Sequence, residues 1–307
     1  MTPTRREFLK AAAALPIVGP IASASQPKSG YVDAHSHIWS NDVKKWPLAG
    51  KFTPKDLKPE TFTDEELLKI CRPAGVNRVV LIQHNVYHEF DNRYIAWAIK
   101  KHPGVFSGVA VIDHTKGEVE PTMLALKKQG IRGFRILPRK LKPNEWLKHE
   151  GMQQMWKTAA ANGLAMCPLI NPEYLPSVNT MCKAFPNTRV VVDHFARIGV
   201  DGKIRDEDLE NLLALAKHKN VLVKISAYYA LGKKKPPYAD LLPMIKRCID
   251  AFGCERLMWG SDCPYQLGGG HSYKASLDLV VKGVDFVSDG DREWLLRRTA
   301  ERVFFAS

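Results

Sequence analysis

From Tyr31 onward the chain alternates short apolar, β-branched runs with segments whose apolar residues return at helical spacing. The runs cover 31–38, 78–84, 106–113, 131–137, 164–170, 189–195, 221–226 and 256–262. Several are continuously apolar, as strands of a parallel sheet buried on both faces should be. Between most of them the spacing predicts helices, over 63–72, 93–101, 118–129, 152–162, 206–217 and 238–252. Gly130 and Gly163 sit where helix C-termini are expected. Eight strands with helices between most of them predict one α/β domain, a single (β/α)8 TIM barrel. A doubly wound open sheet is the alternative architecture. Segments 39–62 and 139–151 read as long loops, and loops after barrel strands build active sites.

The first thirty residues follow a different pattern. Thr4, Arg5, Arg6, Glu7, Phe8, Leu9 and Lys10 form a twin-arginine stretch, followed by an apolar run from Ala11 to Ile21 and the small residues Ala22, Ser23 and Ala24. That order predicts a Tat signal peptide over 1–24, with the barrel domain over 25–307 and a periplasmic or extracellular destination reached through the Tat translocase. The apolar run is too short, and too interrupted by Pro16, Gly19 and Pro20, to span a bilayer.

Composition adds two constraints. Hydrophobic residues at 45% and charged residues at 25% are ordinary globular values, which exclude a disordered, fibrous or polytopic membrane chain. The 45 Lys and Arg against 32 Asp and Glu, a formal charge of +13, invite a polyanionic partner, a membrane surface or an anionic substrate. Removing the leader takes away only Arg5, Arg6, Lys10 and Glu7, so most of the excess belongs to the barrel. Nucleic acid is a poor fit, because no basic stripe interleaved with aromatics accompanies the charge. Cys71, Cys167, Cys182, Cys248, Cys254 and Cys263 show neither CxxC spacing nor a dense framework, so buried thiols are expected. Cys248 with Cys254 is the one pairing worth weighing.

Chemistry gathers at the ends of the runs. The first ends Asp33, Ala34, His35, Ser36, His37, and positions two apart share a strand face, which would aim Asp33, His35 and His37 together into the barrel mouth. The sixth ends with Asp193 and His194, and the eighth with Ser261 and Asp262. All lie at C-terminal strand ends, the catalytic face of such a barrel. By alternation Asp193 should face away from His194 and brace a neighbouring loop or helix. Arg132 and Arg135 cannot both face the lumen, and Arg135, nearer the C-terminal end, is the better candidate to grip a carboxylate. Arg197, Lys224, Gln83, His84 and Tyr228 complete the expected substrate-binding set, Lys224 with an internal ion pair as its alternative role. Lys233, Lys234 and Lys235 read as a solvated basic loop beyond the seventh strand.

The strings VDAHSHIW, AGVNRVVLIQ, GIRGFRIL, VVVDHFARIG and LMWGSDCPY resemble the amidohydrolase superfamily, and most of all its branch of 2-pyrone-4,6-dicarboxylate lactonases and sugar-lactone hydrolases. The likeness runs over nearly all of residues 30–307. It implies a TIM-barrel hydrolase with His35, His37, His194 and Asp262 in the site. Metal-dependent members commonly add a histidine at the end of strand five, but here that strand reads Leu164, Ala165, Met166, Cys167, Pro168, Leu169, Ile170. Two readings therefore stand side by side. In one, His35, His37 and Asp262 hold a single Zn2+ with water as fourth ligand. In the other, the three histidines supply the oxyanion's hydrogen bonds without metal. In both, Asp262 is the expected general base, with His194 beside it, and the reaction is hydrolysis of a small lactone or related ester, carboxylated or sugar-derived, with an anionic substrate favoured by the charge. A metal-dependent decarboxylase of a carboxylated aromatic or muconate, and a non-catalytic barrel binding an anionic ligand, are the competing functions.

Overall fold

A computed structural model describes residues 30–50, 52–138 and 141–306. The expected signal peptide therefore lies outside the described residues. Eight strands run in chain order around one parallel sheet: β1 (Tyr31–Ser36), β2 (Val76–Ile82), β3 (Phe106–Ala110), β4 (Ile131–Ile136), β5 (Ala165–Pro168), β6 (Arg189–Val192), β7 (Val221–Ser226) and β8 (Leu257–Gly260). The sheet's two edges meet through a parallel bridge between Ser36 and Cys263, supported by Asp262 N–H donating to the His35 carbonyl at 2.8 Å. The expected TIM barrel is therefore borne out, and the open sheet is not.

Each strand is apolar on both faces because it separates two cores. Val32, Ala34, Val80, Ile82, Val109, Ala165, Cys167, Val191, Leu222 and Met258 fill the barrel interior. Val79, Leu81, Val190, Val192, Val223 and Ile225 belong instead to the outer core, under the helices. Ala300, Val303 and Phe304 of the last helix, Thr299–Phe304, join the interior cluster and pack among its side chains.

The expected helices form with small shifts at their ends. Asp64–Cys71 starts on a capping box, in which Thr63 Oγ1 accepts from Glu66 N–H and Thr63 N–H donates to Glu66 at 2.6 Å. Glu150–Asn162 ends at Gly163, whose φ of 65° is the left-handed stop that glycine adopts without strain. Leu175–Ala184, which is not among the helices expected from the spacing, is helical, burying Leu175, Val178, Met181 and Cys182 along one stripe. The segments Tyr273–Asp278, Leu279–Gly283 and Trp294–Arg298 also escaped the periodicity, the last two because they are wound as π-helical turns rather than at 3.6 residues per turn. All six cysteines are free and buried, Cys248 and Cys254 included. Among the described residues no helix is long and apolar enough to cross a membrane.

Candidate active site

The site begins with an irregularity in β1. Asp33 pairs with Val79 and Ser36 with Leu81, so three steps on β1 match two on β2. Such a slip reverses which face later residues take. Val32 and Ala34 point inward, and beyond the slip His35 and His37 also reach the lumen, while Asp33 points outward. The expectation that Asp33 joins the two histidines is therefore corrected. Its buried carboxylate accepts from Ser261 N–H at 2.8 Å, Ser261 Oγ at 2.6 Å and Tyr273 Oη at 2.9 Å, clasping β1 to the end of β8. With no cation among these partners, burial pushes the Asp33 carboxyl up to about 6.

A second irregularity follows β6. His194, Phe195, Ala196 and Arg197 all take positive φ, between 51° and 62°, forming a left-handed turn. Four such residues in succession are costly for L-amino acids and are held here by burial of the first three. The turn lets Asp193 and His194, which strict alternation would aim in opposite directions, serve one site. Asp193 does not brace an outer loop, as alternation suggests. It is fully buried in the lumen, where its Oδ2 accepts from Arg135 Nε at 3.2 Å and Nη2 at 3.0 Å, and its Oδ1 lies 3.1 Å from Lys224 Nζ and 3.4 Å from His35 Nδ1. Burial alone would raise this carboxyl, but Lys224, Arg135 and His35 outweigh it and hold Asp193 well below the usual carboxylate range.

Above this ion cluster sits Asp262, also left-handed with φ 58°. His35 Nε2 lies 3.5 Å from its Oδ1 and His37 Nε2 3.3 Å, while His194 Nε2 is 3.8 Å from its Oδ2. Each imidazole is anchored at its other nitrogen: His37 Nδ1 donates to the Ile82 carbonyl at 2.9 Å, His194 Nδ1 meets Ser226 Oγ at 2.7 Å, and His35 Nδ1 faces Asp193. Tyr229 Oη donates to Asp262 Oδ2 at 2.8 Å. Burial pushes Asp262 up, but His194, His37 and His35 around it prevail and hold the carboxyl well below its ordinary value. Burial drives His194 down to about 4, and burial with Lys224 keeps His35 well below the usual imidazole range. At neutral pH the centre is thus an ionised Asp262 facing neutral His35 and His194.

The donor set suits one divalent ion in type and number. His35, His194 and Asp262 each offer an atom within 4.8 Å of the others, with His194 where the sequence reading placed His37. Histidines braced at Nδ1 are what a metal centre requires. Arg135 competes for the same place, because its Nη2 donates to His35 Nε2 at 2.8 Å and one lone pair cannot serve both guanidinium and ion.

A cleft of about 270 Å³ opens over this centre, lined by His37, His84, Arg135, His194, Arg197 and Asp262 together with Tyr229 and Tyr265. Larger hollows on the molecule lie elsewhere, around Phe90–Val119 and Arg93–Gly130, without catalytic groups. Of the substrate-binding residues expected from sequence, Gln83, Lys224 and Tyr228 are absent from the lining, and His35 lies buried beneath it. Gln83 Nε2 is spent on the Asp91 carbonyl, Lys224 takes the internal ion pair weighed as its alternative role, and Tyr228 Oη donates to the buried Ile225 carbonyl. Tyr229, one residue on, holds the position expected of Tyr228, because Ala227 at φ 61° turns the chain after β7. Tyr265 was also missed. Arg132 faces outward onto the Lys127 carbonyl, as the parity argument requires.

Residues 32–306 match the protein family described as Amidohydrolase. The chain belongs to this family. It is 26% identical over 249 residues to an L-fucono-1,5-lactonase of Burkholderia ambifaria, covering 78% of this chain and 82% of that one. Its fold superposes on a structure described as a probable 2-pyrone-4,6-dicarboxylic acid hydrolase from Acinetobacter baumannii with citric acid bound, at TM-score 0.75 and 21% identity over 91% of this chain and all of the other. An amidohydrolase from Burkholderia multivorans with bound zinc gives TM-score 0.76 at 18% identity, again over 91% of this chain and all of the other. The resemblance read from the strand-end motifs is thereby borne out, as is the expectation of a hydrolase.

Proposed function

We propose that this amidohydrolase opens the ring of a small carboxylated or sugar-derived lactone by attack of a water held on Asp262. The observation that carries the reading is the convergence of His35, His37 and His194 on the ionised carboxylate of Asp262 at the floor of an open cleft, with Arg135 against His35 beside them. The likeness to a sugar lactonase supports the bond type. Asp262 accepts a proton from water as the water oxygen bonds to the carbonyl carbon. Arg135, a fixed cation in a water-poor site, meets the growing charge on the carbonyl oxygen, and His194 lies beside it. The ring C–O bond then breaks, and the proton on Asp262 passes to the leaving oxygen. Arg197, exposed at the lip and without an ion pair among the described residues, is the group we assign to the substrate's anionic substituent. A divalent ion, zinc by our assignment, would be held by His35, His194 and Asp262 and would polarise the carbonyl and acidify water. Export by the Tat route belongs to the same proposal, supported by the twin-arginine leader.

Purified enzyme should open members of a panel of sugar 1,5-lactones and pyrone carboxylates, followed by proton release. Asp262→Asn should lower kcat by about 10²–10⁴-fold while leaving the fold intact. Inert wild-type protein, with and without added Zn2+, or an Asp262→Asn variant as fast as wild type, would overturn the reading.

A further inference from the structure

His84 and Tyr265 form a dyad at the lip of the cleft that takes no part in the attack of water or in holding the carbonyl oxygen. The His84 ring is buried, with Trp39 at 4.7 Å and Tyr87 at 4.3 Å between ring centres. Its Nδ1 accepts from the Tyr87 backbone N–H at 3.3 Å, so that nitrogen carries no proton. The ring's one proton therefore sits on Nε2, which lies 2.5 Å from Tyr265 Oη. His84 is the donor in that bond and the Tyr265 oxygen the acceptor. The phenol's own hydrogen has no acceptor among the described residues. Tyr265 is 39% exposed, lines the cleft, and stacks at 6.4 Å and 21° on Tyr229, the residue that donates to Asp262.

We propose that Tyr265, oriented by His84, donates a hydrogen bond from its hydroxyl to the ring oxygen of the lactone as that oxygen leaves. This rests on the lactonase reading and adds a residue to it. Arg135 and the histidines lie at the floor and take the carbonyl oxygen, so the other oxygen on the same carbon is turned toward the lip, where Tyr265 is. The hydroxyl keeps its proton. It stabilises charge on the departing oxygen, and the proton that completes the alcohol comes from Asp262. A donor preorganised toward developing charge contributes more as that charge grows, so the effect should scale with how poor the leaving group is.

Tyr265→Phe removes the hydroxyl and keeps the ring stacked on Tyr229. With D-glucono-1,5-lactone, whose leaving group is an alkoxide, kcat should fall by about 10²-fold with KM nearly unchanged. With dihydrocoumarin, whose leaving group is a stabilised phenoxide, the loss should be severalfold at most. In parallel, nitrogen-15 spectra of the histidine rings in wild-type protein should show His84 protonated on Nε2 only. Equal losses on the two substrates, a rise in KM at unchanged kcat, or a His84 ring protonated on Nδ1 would overturn the assignment of Tyr265 while leaving the lactonase reading in place. Wild-type protein that opens neither probe nor any panel lactone would remove both.

Discussion

Asp193 holds two cations, Arg135 and Lys224, that would otherwise be buried without a carboxylate partner. Asp193→Asn leaves both positive groups in the barrel interior, and breaking such a pair costs about 3–5 kcal/mol. Lys224→Met should cost much less, because Asp193 keeps Arg135 and the methionine fills the space against Phe304 that the lysine now occupies. Urea denaturation of the two variants checks this order, and equal losses would show that Asp193 does not anchor the cluster. The histidines and acids of the site were legible from sequence because their chemistry is carried by residue type. Asp33 and Asp193 exchanged expected roles because both depend on which face a backbone irregularity presents. Tyr229 and Tyr265 gave no sequence signal beyond proximity to strand ends, since a tyrosine three residues past Asp262 is equally at home in a loop.

Among the elements, the seam between β1 and β8 brings His35 and Asp262 together. Gly260 makes it possible: a Cβ there would stand 2.7 Å from His35 Cβ and 3.0 Å from His35 N. Gly260→Ala must push the strands apart, an overpacking that costs about 1–3 kcal/mol, and should lower activity by more than the lost stability implies because His35 moves with the seam. Thermal melts alongside kcat measured well below the melting range separate the two effects, and unchanged activity would show that the seam does not set the site. Strand positions could be read from sequence because burial on both faces leaves a run of apolar residues. Leu175–Ala184 could not, since its buried stripe is diluted by polar residues that serve solvent on the other face.

For the whole molecule, the buried histidines make folding sensitive to acid. Below the ordinary imidazole value of 6.5 the unfolded chain takes up protons on His35, His84 and His194 that the folded chain refuses, His194 down to about 4 and His84 down to about 2. Stability must therefore fall as pH drops through that window. Asp33 opposes this, because its folded carboxyl takes a proton near pH 6, before the unfolded one does near 3.8, and so offsets part of the loss. His88 and His218, also held below the ordinary imidazole value by burial, act in the same direction, so a net loss remains and Tm should be clearly lower at pH 4.5 than at pH 7.5; a Tm that rises on acidification would contradict the neutral histidine cluster. The basic excess divides in the same structural terms. Arg135 and Lys224 are paired with Asp193 inside the barrel, while Arg197 and the exposed Lys233, Lys234 and Lys235 have no ion pair among the described residues, Lys234 donating to the Val200 carbonyl. Sequence alone determined the architecture and the identity of the reactive groups, because apolar periodicity and residue type are local properties of the chain. Tertiary structure alone decided which groups face the cleft, which cations are already paired, and which nitrogen of each histidine is available. Those follow from one slipped residue in β1, a left-handed turn after β6 and contacts between residues far apart in the chain, none of which a periodicity of two or of 3.6 can encode.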